Sequence, residues 1–326
     1  VKKKLLFGTF ILLTILAWYS CNDELVIAAE PKDIPVVSGL VAVNDTTHYI
    51  RVEKAFLDPE TSALTIAQIA DSIYYPNALV ILRITSSSKE YVLEPVDANF
   101  EGYEREPGIF ANSPNRMYKI DAENIPLEEG QEVELIILRN ENSTPVTATT
   151  ELIEQPEVQR PQKNSSLNIV PGKDFKFLWL EGTNAAMFNV NLIVHIAERT
   201  PGNPNFKPRI LNWEISKNVL SNQYEIDGQQ FFSFLGGQLD ADNTIRRLDS
   251  IDVEVAAGGE ELLQLLRILQ ANTGITGTQE IPTFSNLSEG LGIFSSINKS
   301  LQTGHRLTDQ SSDSLKTNQF TRDLGF

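Results

Sequence analysis

The sequence predicts a mainly all-β protein built in two parts, and three observations carry that expectation. Short runs rich in β-branched residues recur from Ile34 onward, separated by turn-forming clusters such as Asn44-Asp45 and Ser86-Ser87-Ser88-Lys89. Proline and glycine are spread along the whole chain, 16 and 19 of them in 326 residues. That length, less an export segment, fills two domains of ordinary size or one large β domain.

The chain opens on an export signal. Lys2, Lys3 and Lys4 precede an apolar run from Leu5 to Leu16, and Ala17-Trp18-Tyr19-Ser20-Cys21 follows. A basic stub and a short apolar core fit a signal peptide over residues 1–20, whereas a membrane span needs about 20 apolar residues. Cys21 is the only cysteine, so an intramolecular disulfide is excluded. Its place after Ser20 is similar to a bacterial lipoprotein signal, in which the cysteine takes acyl chains, palmitate among them, and becomes the mature N-terminus. Two or more chains hold a soluble domain at a bilayer surface, at about 0.8 kcal/mol per buried CH2. Trp18 and Tyr19 depart from the usual form of that signal, and ordinary cleavage with Cys21 as a passenger is the alternative. Residues 21–33 are polar and acidic, a tether with little to bury.

Residues 34–154 read as a sandwich. Strands are expected at Val36–Val43, Thr47–Val52, Ala78–Ile84, Glu90–Pro95, Met117–Ile120, Glu132–Leu138 and Thr147–Leu152, with a short helix over Leu64–Ile73 that stops before Pro76. Some seven short strands separated by turns argue an immunoglobulin-like or fibronectin-like architecture. Residues 155–166 carry Pro156 and Pro161 in a polar context and are the expected linker.

The second β-rich domain spans 167–298. Phe175–Trp179, Phe188–Ile196, Arg209–Ile215 and Ile245–Val255 read as strands, and Gly228–Leu235 as either a strand or a helical turn. Glu260–Ala271 reads as the domain's one helix, its Leu262, Leu265, Leu266 and Leu269 stripe facing the second sheet. Gly290–Ser295 is expected as a closing edge strand. The remainder, 299–326, lacks a period and is expected as a mobile tail.

Charge and composition exclude several functions. With 43 acidic against 27 basic residues the formal charge is −16, and removal of the signal lysines takes it to about −19. Such a field repels nucleic-acid phosphates and anionic lipid, so neither is an expected partner. Three histidines, His48, His195 and His305, show no metal-ligand spacing, and no phosphate-cradling glycine loop or nucleophile elbow is present. No catalytic residue, metal or cofactor is therefore expected. The Asp240-Ala241-Asp242-Asn243 cluster lacks the rest of a calcium loop and reads as a solvated turn.

Aromatic residues in or beside loops are the remaining lead. Tyr74, Tyr75, Tyr103, Phe110 and Trp213 either contact a partner or a sugar through their rings, or pack within the domains.

The C-terminal half carries a resemblance. A helix after a strand, a gap with small and proline residues, an Asn-containing stretch and then Glu289-Gly290-Leu291-Gly292-Ile293-Phe294 resemble the end of the Bacteroidota lipoproteins grouped as domain of unknown function 4249. Gly292-Ile293-Phe294 would be this chain's version of that family's closing Gly-Tyr-Phe or Gly-Val-Phe element. Where the family has a Pro-Pro and Arg-Gly-Asn-Ile stretch, the chain has Gln279 to Asn286 instead. Ile34 to Leu152 is similar to the family's N-terminal part, so the likeness covers most of 21–298. With the export signal and the acidic β-rich body, the resemblance leads to the expectation of a non-enzymatic outer-membrane lipoprotein held in lipid through Cys21 on the cell-surface side, an accessory or ligand-presenting subunit of a TonB-dependent transporter or other surface complex. It supplies no catalytic residues. A free-standing carbohydrate-binding or adhesion module is the alternative expectation, and a polysaccharide or peptidoglycan hydrolase the third.

Overall fold

The computed structural model describes residues 34–55, 62–140, 142–271 and 283–326; the expected signal, Cys21 and the tether lie outside them. The described chain is mainly β, as its strand-forming runs require.

In the first body, β1 (Ile34–Val41) pairs antiparallel with β2 (Thr47–Ala55), β2 with β5 (Arg116–Asp121), and β5 with β4 (Lys89–Asp97). Beyond β4 the ladder continues through β3 (Leu79–Ile84), β6 (Glu132–Leu138) and β7 (Val146–Glu151). The corner is β4 itself. Its residues 89–93 pair with β3 and residues 94–97 with β5, and Pro95, which has no N–H to give a ladder, sits just past the change of partner. Alternation turns one side chain in two inward. Val37, Ile50, Val80, Leu93, Leu135 and Phe294 thereby share one core.

The second body is also two-layered. A three-stranded sheet runs β12 (Gln223–Asp227), β9 (Asp174–Leu180), β8 (Glu157–Arg160). Its counterpart runs β11 (Lys207–Val219), β10 (Met187–Arg199), β13 (Ile245–Gly258), β14 (Leu291–His305). Trp179 and Phe188 lie 5.3 Å apart between centroids within a core that includes Val190, Val253 and Phe231.

β14 belongs to both bodies. Residues 291–296 run parallel to β1, from Val36↔Leu291 to Val41↔Ser296, and residues 297–305 run antiparallel to β13, from Gly258↔Ile297 to Ile251↔His305. At the crossover, Ser295, Ser296 and Asn298 are buried, at 2% exposure or less. Ser295 donates to Glu261 at 2.9 Å, and Ser296 Oγ accepts from the Ile153 amide at 3.0 Å. Asn298 Nδ2 donates to the Ile153 carbonyl at 2.9 Å, and its Oδ1 accepts from Asn44 and from the Lys299 amide. Gly292, with φ at +117°, lets β14 lie against β1, since a Cβ there would strike the Val37 carbonyl.

Four expectations change, and for a fifth segment the choice between strand and helix is resolved. The helix over Leu64–Ile73 is two short helices, α1 (Ala63–Ala67) and α2 (Ala70–Ile73). Gly228–Leu235 is helical, as α3 (Gly228–Gln238), because Asp227 caps it: its side chain accepts from Gln229 N and Gln230 Oε1 accepts from Asp227 N, a capping box. The 155–166 linker contains β8, paired with β9. The closing edge strand is an interior strand, with β1 on one side and β13 on the other. The mobile tail is instead the end of β14 and α5 (Asp309–Thr317), with Leu315 and Leu324 buried in the second core and the Leu324 carbonyl held by Arg246 at 2.6 Å.

The helix α4 (Glu260–Ala271) lies where expected but rests on β14, with Leu263 buried and Leu269 exposed. The buried leucine lies outside the expected stripe, of which Leu262, Leu265 and Leu266 are only half-buried.

Two predictions follow from this packing. Asn298→Leu keeps the volume but strands the Ile153 carbonyl, and we expect a loss of about 2–3 kcal/mol in urea unfolding; an unchanged midpoint would refute the role of the crossover. His48 is buried with no partner on Nδ1 among the described residues, and burial holds its pKa below the ordinary 6.5 while Asp45 opposes this weakly. The folded chain thus binds that proton less readily than the unfolded chain. Stability should be complete above about pH 6.5 and decline as pH falls from there to the lowered value, and His48→Leu should flatten that slope in pH-resolved thermal melts.

Candidate functional site

The candidate site is a shelf at one end of the first body, made by α1, α2 and the loop at residues 98–115. Sequence dictates its anchoring. Asp97 Oδ1 accepts from the amides of Asn99 and Asn115, closing the two ends of the loop, and the Ala98 amide bonds the Asn115 carbonyl at 2.8 Å. The far side of the loop is tied to the helices: Ala111 N donates to Ala67 O at 2.8 Å, and Gln68 Nε2 to Ile109 O at 2.5 Å.

Arg105 is the centre of the shelf. Its guanidinium donates to the Tyr74 hydroxyl at 3.0 Å and to Glu53 Oε1 at 2.8 Å, and lies 5.2 Å over the Phe110 ring. Arg51 shares Glu53 and also donates to Asn115 Oδ1 at 2.7 Å, and Asn115 donates onward to the Tyr103 carbonyl. Arg116 sits over the Tyr74 ring and donates to the Tyr75 carbonyl. Planar guanidinium groups suit this layering on rings and carboxylates.

A second network lies beside it. Tyr49 and Lys119 both donate to Glu101, at 3.1 and 2.8 Å, and the Tyr49 ring meets Tyr103 edge-on at 5.0 Å. Those two donors hold the Glu101 carboxyl below its usual range. Burial, then the bond to Glu101, raises Tyr49, while the same carboxylate raises Lys119.

The aromatic residues singled out in the sequence divide. Tyr74, Tyr75, Tyr103 and Phe110 come together here; Trp213 does not, since it lies on β11 with its ring stacked on Phe234 of α3 at 5.0 Å. Tyr74 and Tyr75 are buried, so they support the shelf and do not offer their rings to a partner. Tyr103 and Phe110 remain partly open, and the same loop and helices carry further exposed apolar residues. Phe100 is 88% exposed, Leu64 63%, Ile109 57% and Ile69 49%. The signal for them was available: apolar residues in a loop and on helices too short to bury them.

The arrangement presents hydrophobic contact area on a polar, ion-paired base. Among the described residues no group of three His, Cys, Asp or Glu side chains is placed to hold a metal, and no helix is long and apolar enough to cross a membrane. Asp242 of the acidic turn is used internally, bound to Arg246 at 3.1 Å.

Arg105→Met should free the loop at a local cost of about 1–2 kcal/mol. Cleavage after Glu101 and Glu104 by a glutamate-specific protease should then run roughly ten-fold faster, because proteolysis follows the open population; unchanged cleavage would mean that Arg105 does not hold the shelf.

Among solved structures, the crystal structure of chicken CNTN1 FN1-FN3 domains is similar at 10% identity and a TM-score of 0.18, over 84% of this chain and 66% of that one. The crystal structure of DIP-gamma IG1+IG2 is similar at 9% identity and a TM-score of 0.19, over 71% and 91%. Among curated proteins none matches. Residues 23–303 match the family described as Domain of unknown function (DUF4249).

Proposed function

The chain belongs to the DUF4249 family, and from that premise we propose that it is a non-enzymatic lipoprotein of the outer membrane. Cys21 anchors it in lipid on the cell-surface side. It serves as an accessory, ligand-presenting subunit of a TonB-dependent transporter. The observation that carries the contact role is the shelf: Phe100, Tyr103, Ile109 and Phe110 are exposed while the backbone beneath them is fixed by Arg105, Asn115 and Asp97. Exposed apolar side chains on a braced surface bind protein well, because little conformational freedom remains to be lost on association.

The export signal supports the anchor. Leu5–Leu16 is short for a span, and Cys21 follows after four more residues, directly behind Ser20. The carbohydrate-binding alternative draws on one feature, the half-exposed Tyr103 ring held edge-on by Tyr49.

The test is affinity capture of the full lipoprotein from solubilised outer membrane, with mass spectrometry of both the partners and Cys21. A stoichiometric TonB-dependent transporter and a diacylated Cys21 are expected. Phe100→Asp together with Ile109→Asp should lower transporter recovery at least ten-fold and leave lipidation intact, since both side chains face solvent. A lipidated protein recovered alone would overturn the accessory role and favour the glycan-binding reading.

A further inference from the structure

Where the last residues close on the second body, they leave a cavity of about 620 Å³. Its charged lining is mostly cationic: Arg246, Arg247, Arg306 and Lys316, against the single carboxylate side chain of Asp249. In a chain of net charge −16 that grouping runs against the composition.

Two of the four cations are already committed. Arg246 is buried and gives its guanidinium to Glu198, to Asp242 and to the carbonyls of Asp240 and Leu324. Arg247 pairs with Asp249 at 2.5 Å and lies 5.0 Å over the Phe206 ring. Arg306 and Lys316 differ from them. Both are exposed, and neither has a carboxylate within 4.0 Å among the described residues. Lys316 is in the last turn of α5, where a cation also meets the negative end of the helix, but Arg306 precedes that helix and has no such partner.

The remaining wall is formed by Leu248, Leu307, Leu315 and Phe326, with Ser312 the one uncharged polar residue among them. Uncommitted cations at the side of an apolar cavity satisfy both halves of an amphiphile: a charge-assisted hydrogen bond for the head and desolvation for the tail. We infer that this cavity binds an anionic amphiphile, a phosphate or carboxylate head carrying a short alkyl chain. The overall negative field repels a polyanion, whereas a single anionic head engages the local cations.

Titration calorimetry of the whole exported chain would use three probes: hexyl phosphate, inorganic phosphate and hexanol. Hexyl phosphate should bind at least ten-fold more tightly than either of the others. Arg306→Gln and Lys316→Gln should each weaken it about five-fold and together abolish it, with the urea midpoint unchanged because both side chains are exposed. Equal affinity for inorganic phosphate and hexyl phosphate would overturn the apolar half of the assignment. Absence of hexyl phosphate binding, or full binding by the double variant in its native fold, would overturn the site.

Discussion

Everything in this fold depends on how β14 changes partners. A strand that leaves one sheet for another must satisfy its main chain on both sides of the change, in a place from which water is excluded. There the side chains of Ser295, Ser296 and Asn298 bond Glu261 and both main-chain groups of Ile153, the point at which the chain itself passes from the first body to the second. The two crossings thus hold one another. Apolar residues here would pack as well, but they would leave the Ile153 amide and carbonyl unpaired, a larger loss than any gain in burial. The polar residues therefore fix a single relative placement of the two sheets, which non-directional apolar packing alone would not do.

The same logic of a polar base beneath an apolar top recurs at the shelf. Helices of five and four residues have too few internal hydrogen bonds to stand alone in water. They persist because Tyr74 and Ile73 are buried under them and because the 98–115 loop is tied across them by Gln68 and Ala67. Arg105 joins that loop to β2 through Glu53, so the exposed rings stand on a sheet and not on a free loop.

What the sequence revealed followed the range of the interactions. β6 at Glu132–Leu138 and the helix at Glu260–Ala271 were legible to the residue, because strand alternation and helical spacing are local properties. The capping box of Asp227 and Gln230 is just as local, and it encodes helix over strand for Gly228–Leu235. β8 was hidden by Pro156 and Pro161, which flank it, and by its four-residue length. The double role of β14 is set by partners at Val36 and Gly258, far away along the chain, and no pattern inside Gly290–Ser295 encodes it. The tail misled for a related reason: Leu315 and Leu324 are sparse in sequence, yet each fills a place in a core built by other segments. At the shelf, loop aromatics were visible as a type, but burial of Tyr74 and Tyr75 against exposure of Phe100 and Ile109 depends on which side of Arg105 each one falls.

The parallel ladder between β1 and β14 also sets a timetable. Synthesis from the N-terminus delivers Val36 early and Leu291 near the end, so β1 waits without that neighbour through most of translation. Pairings of such sequence separation are slow to form, because loop closure precedes any gain from the contact. Until Phe294 arrives, the first core lacks one of its largest buried side chains. The first body can assemble its hairpins as they emerge, but it becomes a finished structure only when the second body has been delivered too.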